Sequence, residues 1–388
     1  MNNAARRFAP FLVILTIGFA SLPSPVRAAE SQDALPGYLT SSWEKLSSTL
    51  SEALSLQDKQ ENLPESAYFG PDKSSNAKKI NALLDQAVEI LLQGDANDLR
   101  RQAVKLRDEI PALRLEMDEL RNKRVAAPET SKLPWVKTRA KIDDRITELD
   151  AEIKGKERSL AEINDKTADA LRLLGMDLDE KQIDILLTSV TGDDLFQNTV
   201  IFSNVKRVVE KLAELSREDR DNLEINRRYT GMYLVLNDLL IYTQEGLIEK
   251  IDSSYKPQLA AIRSEADKLR QEAQNRSRQS QYNQAQKKSF EANAEANAMT
   301  VRVAGLYAEL LESQRKSLQK TLAELRRNRD VAENTYKTVR STGDLRNLIR
   351  SGLELFDSIQ ALSLPEIQPF ENDAIRKEFE EINKRLKK

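Results

Sequence analysis

The chain contains no cysteine and no histidine. The first absence removes disulfides, thiol nucleophiles and haem-attachment motifs; the second removes Ser-His-Asp triads and a histidine pH switch. Together they remove Cys/His zinc sites. Aromatic residues make up only 5% of the 388 residues, and Gly and Pro contribute 12 each. A sheet protein needs turn residues about every ten positions, and no alternating strand pattern flanked by turns occurs. An excess of one charge is missing too: 60 basic residues face 62 acidic ones. Such a balance does not make a nucleic-acid binder by bulk electrostatics. Any catalysis would fall to carboxylates, Lys, Ser, Thr, Tyr or Arg. The sequence shows no such constellation, so no enzyme, no cofactor and no metal site is expected.

What is present is helix. Charged residues reach 31%, and Leu, Ala, Glu, Lys, Arg and Gln, the strong helix formers, dominate. The fold class expected is all-α: elongated antiparallel coiled-coil arms joined by a central helical head, with short flanking helices.

Residues 1–28 read as a signal peptide, with Arg6-Arg7 before an apolar core from Phe8 to Leu22 and a small-x-small site at Val26 and Ala28. The core is about 15 residues, shorter than the roughly 20 that a spanning helix needs. Cleavage after Ala28 would remove Arg6, Arg7 and Arg27 and no acid, taking the formal net charge from −2 to −5. The expected location is periplasmic or secreted. No later stretch approaches 18 uninterrupted apolar residues, so the cleaved protein is not expected to be an integral membrane protein.

Residues 29–98 follow as a leader and short helices. Ser41 and Glu44 match a capping box, Tyr68-Phe69 in a proline-flanked loop are candidate exposed aromatics, and a helix over about Ser75 to Gln93 ends at Gly94. Residues 99–182 form the first arm. Leu99, Ala103, Leu106, Ile110, Leu113, Met117 and Leu120 alternate steps of four and three, the spacing of a coiled-coil seam. Pro111 should kink that helix or mark its start, and Pro128 to Pro134 is a break. The seam resumes from Ile142 to Leu174. Residues 252–340 form the second arm, whose seam runs from Tyr255 to Val339 with Asn297, Arg315 and Arg329 as polar members. Lys156 is a charged member in the first arm. Seam charges must be paired or must reach water, and such residues set register.

The arms match in length, and at the helical rise each spans roughly 110–130 Å. Folding them together about the head brings Pro128–Pro134 beside the alanine-rich stretch 291–298. Pairing between chains, in a homo-oligomer through the coiled coil, explains the same heptads. The polar stretch Gln274 to Ser289 reads as a solvated helix, a recognition surface or a second hairpin turn. Residues 341–388 hold the C-terminal helices, with Leu364 to Phe370 as an extended linker and a cationic end, Lys384 to Lys388.

Residues 183–251 are the apolar head. A helix break at Gly192 makes Thr191 or Asp193 a cap, with Asp193 and Asp194 favoured by the positive end of the next helix. Two apolar stripes follow. Their aromatic and branched members Phe196, Ile201, Phe202, Tyr229, Tyr233 and Tyr242 are the candidate partner-binding residues, because surplus apolar surface left after folding marks a docking patch. The plan resembles exported bacterial coiled-coil proteins of the envelope, such as the hairpins of cell-wall-hydrolase activators and the periplasmic helical regions preceding some mechanosensitive channels. The likeness covers heptad character alone. The function expected is an exported periplasmic structural or adaptor protein that engages envelope proteins. The alternative is a ligand- or wall-polymer-binding module, or a regulator of an envelope enzyme or channel, that uses the head.

Overall fold

The computed structural model describes residues 37–130, 137–173, 189–218, 222–338, 345–354 and 373–386. All of them belong to one unit, Leu35–Lys388. The signal peptide, residues 183–188 of the head and the Leu364–Phe370 linker lie outside the described residues.

Every described element is a helix. In chain order these are α1 (Gly37–Gln60), α2 (Lys73–Leu91), α3 (Asp95–Ala126), α4 (Arg139–Leu173), α5 (Gly192–Glu218) and α6 (Leu223–Lys250). A five-residue π-turn, Ile251–Tyr255, joins α6 to α7 (Lys256–Ser277). Then come α8 (Gln284–Thr338), α9 (345–354) and α10 (Asp373–Leu386).

The expected all-α class is what the chain adopts, but the arms pair differently. Helix α3 packs on α4, and α7 packs on α8. Each arm folds back on itself, rather than one arm lying along the other. The chain passes from α3, ending at Ala126, to α4, starting at Arg139, across the Pro128–Pro134 break, of which residues 131–134 lie outside the described residues. Pro111 lies inside α3, which runs on through it. The polar stretch around Gln274 is the second hairpin turn, one of the readings its composition allowed. Residues 278–283 join α7 to α8 there.

The physical reason lies in loop closure. Pairing neighbours in sequence closes a short loop, whereas pairing arm to arm must first order the head between them. Heptads specify that a seam needs a partner without naming which seam. The alanines at 291–298 serve the same hairpin. Ala294 and Ala273 are both buried, and small side chains let α7 and α8 approach closely.

The seam residues are right even though their partners are not. Tyr255, Leu259, Ile262, Ala266 and Ala273 are buried on α7 and the π-turn, as are Leu311, Leu318, Leu322, Leu325 and Tyr336 on α8. Leu269 is the miss, at 45% exposure. Each seam charge is paired. Lys156 reaches Glu109 at 2.8 Å. Arg315 holds both oxygens of Asp252 at 2.8 and 2.7 Å. Arg329 donates to Asp238 at 2.9 Å. The two arginines and the two aspartates are each fourteen residues apart, so both pairs lock α8 to α6–α7 in one register.

That register makes residues 223–277 one continuous helical run, antiparallel to the 55-residue α8. The π-turn has a local cause. Pro257 has no N–H and its ring would clash with the carbonyl oxygen of Ser253. Widening the preceding turn makes room for it without ending the helix.

The largest core gathers around the first half of α6. There Thr230 to Asn237 are buried on all faces, as befits a helix enclosed by neighbours. Leu46 and Leu50 of α1, Leu84 and Ile90 of α2, Val205 and Val209 of α5, Leu325 of α8 and Leu345 of α9 close over it. Each fully buried Leu or Val there contributes about 1.5–3 kcal/mol relative to exposure. Gly231 sits where α1, α6 and α8 cross, and a Cβ there would meet Leu54 Cδ2 at 2.2 Å.

A second core joins the start of α5, the π-turn, mid-α8 and α10 through Phe196, Ile251, Tyr307 and Phe379. The seam of α3 and α4 is a small third core, including Ile110, Met117, Leu120, Ile142, Leu149 and Ile153.

Candidate functional site

The structure places Phe196, Ile201, Phe202 and Tyr233 in the cores, buried. Tyr229 and Tyr242 are partly buried against the largest core. The head is therefore not a surface with apolar area to spare, because helices from before it and after it in sequence cover both stripes. Tyr233 shows how completely. Its hydroxyl accepts from Asn328 Nδ2 at 2.8 Å, and a Cβ on Gly352 of α9 would lie 2.0 Å from it. Burial pushes its phenol pKa up. Tyr242 keeps a wet tip and donates to Asp85 Oδ1 at 2.8 Å.

Asp193 and Asp194 occupy the first turn of α5, as expected at a helix's positive end. They face different partners: Arg100 of α3 at 3.1 Å from Asp193, and Lys250 and the Tyr255 hydroxyl at 2.9 and 2.8 Å from Asp194. Burial, with Asp194 alongside, pushes the Tyr255 phenol up. This is a structural joint that holds the α3–α4 hairpin and the π-turn to α5. Among the described residues no three Asp or Glu side chains converge in the way a metal site needs. None of the described helices is long and apolar enough to cross a membrane.

Two concavities accompany these cores. A recess of about 160 Å³ between α2, α5 and α6 is lined by Val88, Asn198, Ile201 and Lys250, and Asn198 Oδ1 is buried without a partner. Its volume falls below the roughly 300 Å³ at which ordinary ligand pockets begin and suits a bridging water. A groove of about 820 Å³ runs along α7 and α8, with Leu259, Val301, Ala304 and Ala308 as floor and Lys256, Arg263 and Asp267 among its rim.

The feature with the clearest interaction chemistry is the loop between α1 and α2. Tyr68 and Phe69 are adjacent and fully exposed, at 102% and 97%. A large apolar side chain held in water is costly, and two together form the kind of anchor that fills a partner's pocket.

The loop under them is held at both ends. The Lys73 N–H donates to the Pro64 carbonyl oxygen at 2.9 Å, and Lys73 Nζ pairs with Glu65 at 2.5 Å. Gln60 Nε2 donates to the Lys73 carbonyl oxygen at 3.1 Å. Asp72 caps α2, accepting from the Ser75 N–H at 2.7 Å while the Ser75 hydroxyl accepts from the Asp72 N–H at 2.9 Å. The Ser75 N–H, then its hydroxyl, hold the Asp72 carboxyl below the usual carboxylate range, and the Ala67 N–H adds to this. Gly70 takes φ 95°, a left-handed conformation suited to glycine.

The cap expected at Ser41 is absent. Ser41 lies inside α1 and its hydroxyl donates to the Tyr38 carbonyl oxygen at 2.9 Å; the capping box falls at Asp72–Ser75 instead. The sequence marked Tyr68-Phe69 as an exposed pair without ranking it above the head. The signal was its proline-bounded loop, Pro64 to Pro71, which offers an aromatic pair no helical face to join.

Comparison with protein families, curated proteins and solved structures finds no match for this chain. The fold and these surfaces define a class by architecture: an all-α protein in which two antiparallel helix pairs share a helical body.

Proposed function

We propose that the chain is an exported helical adaptor of the bacterial envelope, which docks a partner protein through the Tyr68–Phe69 loop and spaces it by means of the two hairpins. The observation that carries this reading is the full exposure of two adjacent aromatics on a loop whose ends are fixed. A fixed loop loses little entropy on binding, which favours a docking role over a floppy connection. The export-like N-terminus supports the location, and the absence of Cys and His supports an interaction role over catalysis. The six residues of the head act in this reading as part of the framework of the two cores.

In-cell crosslinking from a photoreactive residue at position 69 tests it, with position 115 as control, since Leu115 is also exposed at 64% but lies on a helix face. A discrete adduct is expected from 69, weakened by Tyr68→Ser, with none of the same size from 115. Removing two fully exposed side chains should leave stability within about 0.5 kcal/mol, so loss of the adduct would report docking and not unfolding. Equal adducts from both positions, or none from 69, would reject the reading.

A further inference from the structure

The corner of the α7–α8 hairpin differs in charge from the rest of the molecule. From Ala273 to Phe290 there is no Asp or Glu, and Arg276, Arg278, Lys287 and Lys288 supply four cations. None of the four makes an ion pair among the described residues, although most cations elsewhere on the hairpins do. The other hairpin is an internal control. Near its corner Lys123 pairs with Glu119, Arg124 with Asp143 and Arg139 with Glu129.

Helix stabilisation explains only half of the cluster. Arg276 sits in the last turn of α7, where a cation is favoured by the helix dipole. Lys287 and Lys288 sit near the start of α8, which has no acid in its first turn. There the dipole disfavours them, and Asn283 and Gln286 already cap the helix by exchanging hydrogen bonds at 3.0 Å.

We propose that this corner, residues 273–290, is an electrostatic docking tip for an anionic phospholipid surface. Size selects that partner over a protein. Two helices of about 10–12 Å diameter present roughly 160–230 Å² end-on, far short of the 800 Å² or so per partner that a stable protein interface buries. A surface of many phosphates needs no shaped contact area, and each cation held near it raises binding by about five-fold.

Tyr282 and Phe290 meet edge to face at 4.8 Å in the same corner, and aromatic side chains suit the headgroup boundary. Nucleic acid is a poorer fit, because the chain as a whole is acidic and Tyr282 is engaged with Phe290 rather than free to stack on a base. The four cations stand roughly 16 Å or more along the helix from Glu265, where Arg385 of α10 attaches. Among the described residues, the side-chain hydrogen bonds of the tip all stay within it.

The proposal is independent of the Tyr68–Phe69 reading. Its test is co-sedimentation of the full chain with vesicles of phosphatidylcholine alone and of an equal mixture with phosphatidylglycerol. Binding is expected to the mixed vesicles only, and to weaken as salt rises. Neutralising all four cations (R276Q/R278Q/K287Q/K288Q) should reduce it more than a hundred-fold, and K287Q/K288Q alone at least ten-fold. Neutralising Lys123, Arg124 and Arg139 at the other corner, or changing Tyr68 and Phe69 to Ser, should leave it unchanged. An unaltered circular dichroism spectrum and melting temperature separate lost binding from lost fold. Equal binding to both vesicle types, indifference to both tip variants, or preferential binding to a DNA duplex over the mixed vesicles would overturn the proposal.

Discussion

The two hairpins are built on different principles. The α6–α7/α8 pair is rooted in the body of the protein: its open end carries Leu234, Leu236, Leu239, Leu240 and Leu325 into the largest core, and its middle carries Ile251 and Tyr307 into the second. The α3–α4 pair rests mainly on its own seam, a core of a few residues such as Leu149 and Met117, with Ala168 reaching the second core and Arg100 tied to Asp193 of α5. It adds interhelical ion pairs such as Arg114–Glu157 at 2.6 Å and Arg145–Glu116 at 3.1 Å. Exposed pairs of this kind contribute roughly 0.2–1 kcal/mol each, against about 1.5–3 kcal/mol for one buried Leu. One hairpin should therefore unfold with the protein, while the other should open by itself.

Core truncation should separate the two most strongly. Leu239 of α6 and Leu149 of α4 are both fully buried, and each Leu→Ala change removes about 2–5 kcal/mol of local packing. Leu239→Ala should lower global stability by that amount in denaturant unfolding. Leu149→Ala should speed amide exchange across residues 95–126 and 139–173 and leave 223–338 protected. If both variants lowered protection everywhere alike, the hairpins would be one cooperative unit and the contrast would fail.

Register in the rooted hairpin rests on charge as well as packing. Asp238 is largely enclosed, and burial raises its carboxyl pKa despite Arg329 alongside. Arg329→Met leaves that carboxylate without its cation and should cost about 1–3 kcal/mol. Adding Asp238→Leu should recover most of the loss, because an apolar pair needs no desolvation of charge. A double variant no more stable than the single one would show that the pair holds the helices together directly.

The smallest effect expected is on the pH profile. Cations across a helix interface hold Glu109 (Lys156) and Asp143 (Arg124) below their ordinary values in one hairpin, and Asp252 (Arg315) and Glu312 (Lys256) in the other. For an acid with a depressed folded pKa, the unfolded chain takes up protons first. The contribution is therefore complete above the unfolded values of 3.8 to 4.5 and fades as pH falls through the folded ones. Asp238 runs the other way, since its raised folded pKa makes protonation favour the fold. A melting temperature steady from pH 7 to about 4.5 and falling below that is expected. Amide protection should fade first in α3–α4, which has less apolar burial behind its charges. A melting temperature that rose on acidification would mean that buried acids like Asp238 outweigh the interhelical pairs.

The comparison also shows what could be read from the residues. The seam positions were legible because burial on a helix repeats every three or four residues, and Ile110, Leu149, Leu318 and Leu325 fall where that spacing puts them. The break at Gly192 and the pairing of Arg315 and Arg329 were legible from helix-end and buried-charge rules. The partner of each seam was not, because Leu149 fits any helix with the same stripe. The burial of the head was hidden from the sequence for a related reason. Phe196, Phe202 and Tyr233 look like surplus surface only if α1, α2, α9 and α10 are left out of the count, and nothing local in those segments says which face they cover. Tyr68 and Phe69 needed less such knowledge, since a short loop between two prolines gives them no helical face to join.

The proposed spacing role and the proposed charged tip both require that each hairpin closes on itself within one chain. The absence of cysteine makes this directly measurable with introduced pairs and a short thiol-specific crosslinker. Glu116→Cys/Arg145→Cys and Asp252→Cys/Arg315→Cys stand where ion pairs of 3.1 and 2.7 Å join the helices. Glu129→Cys/Glu295→Cys joins the two arms as an arm-on-arm fold would. The first two variants should crosslink within the monomer and the third should not. Crosslinking of the third within a monomer, or of the first two only between chains, would contradict the two-hairpin architecture.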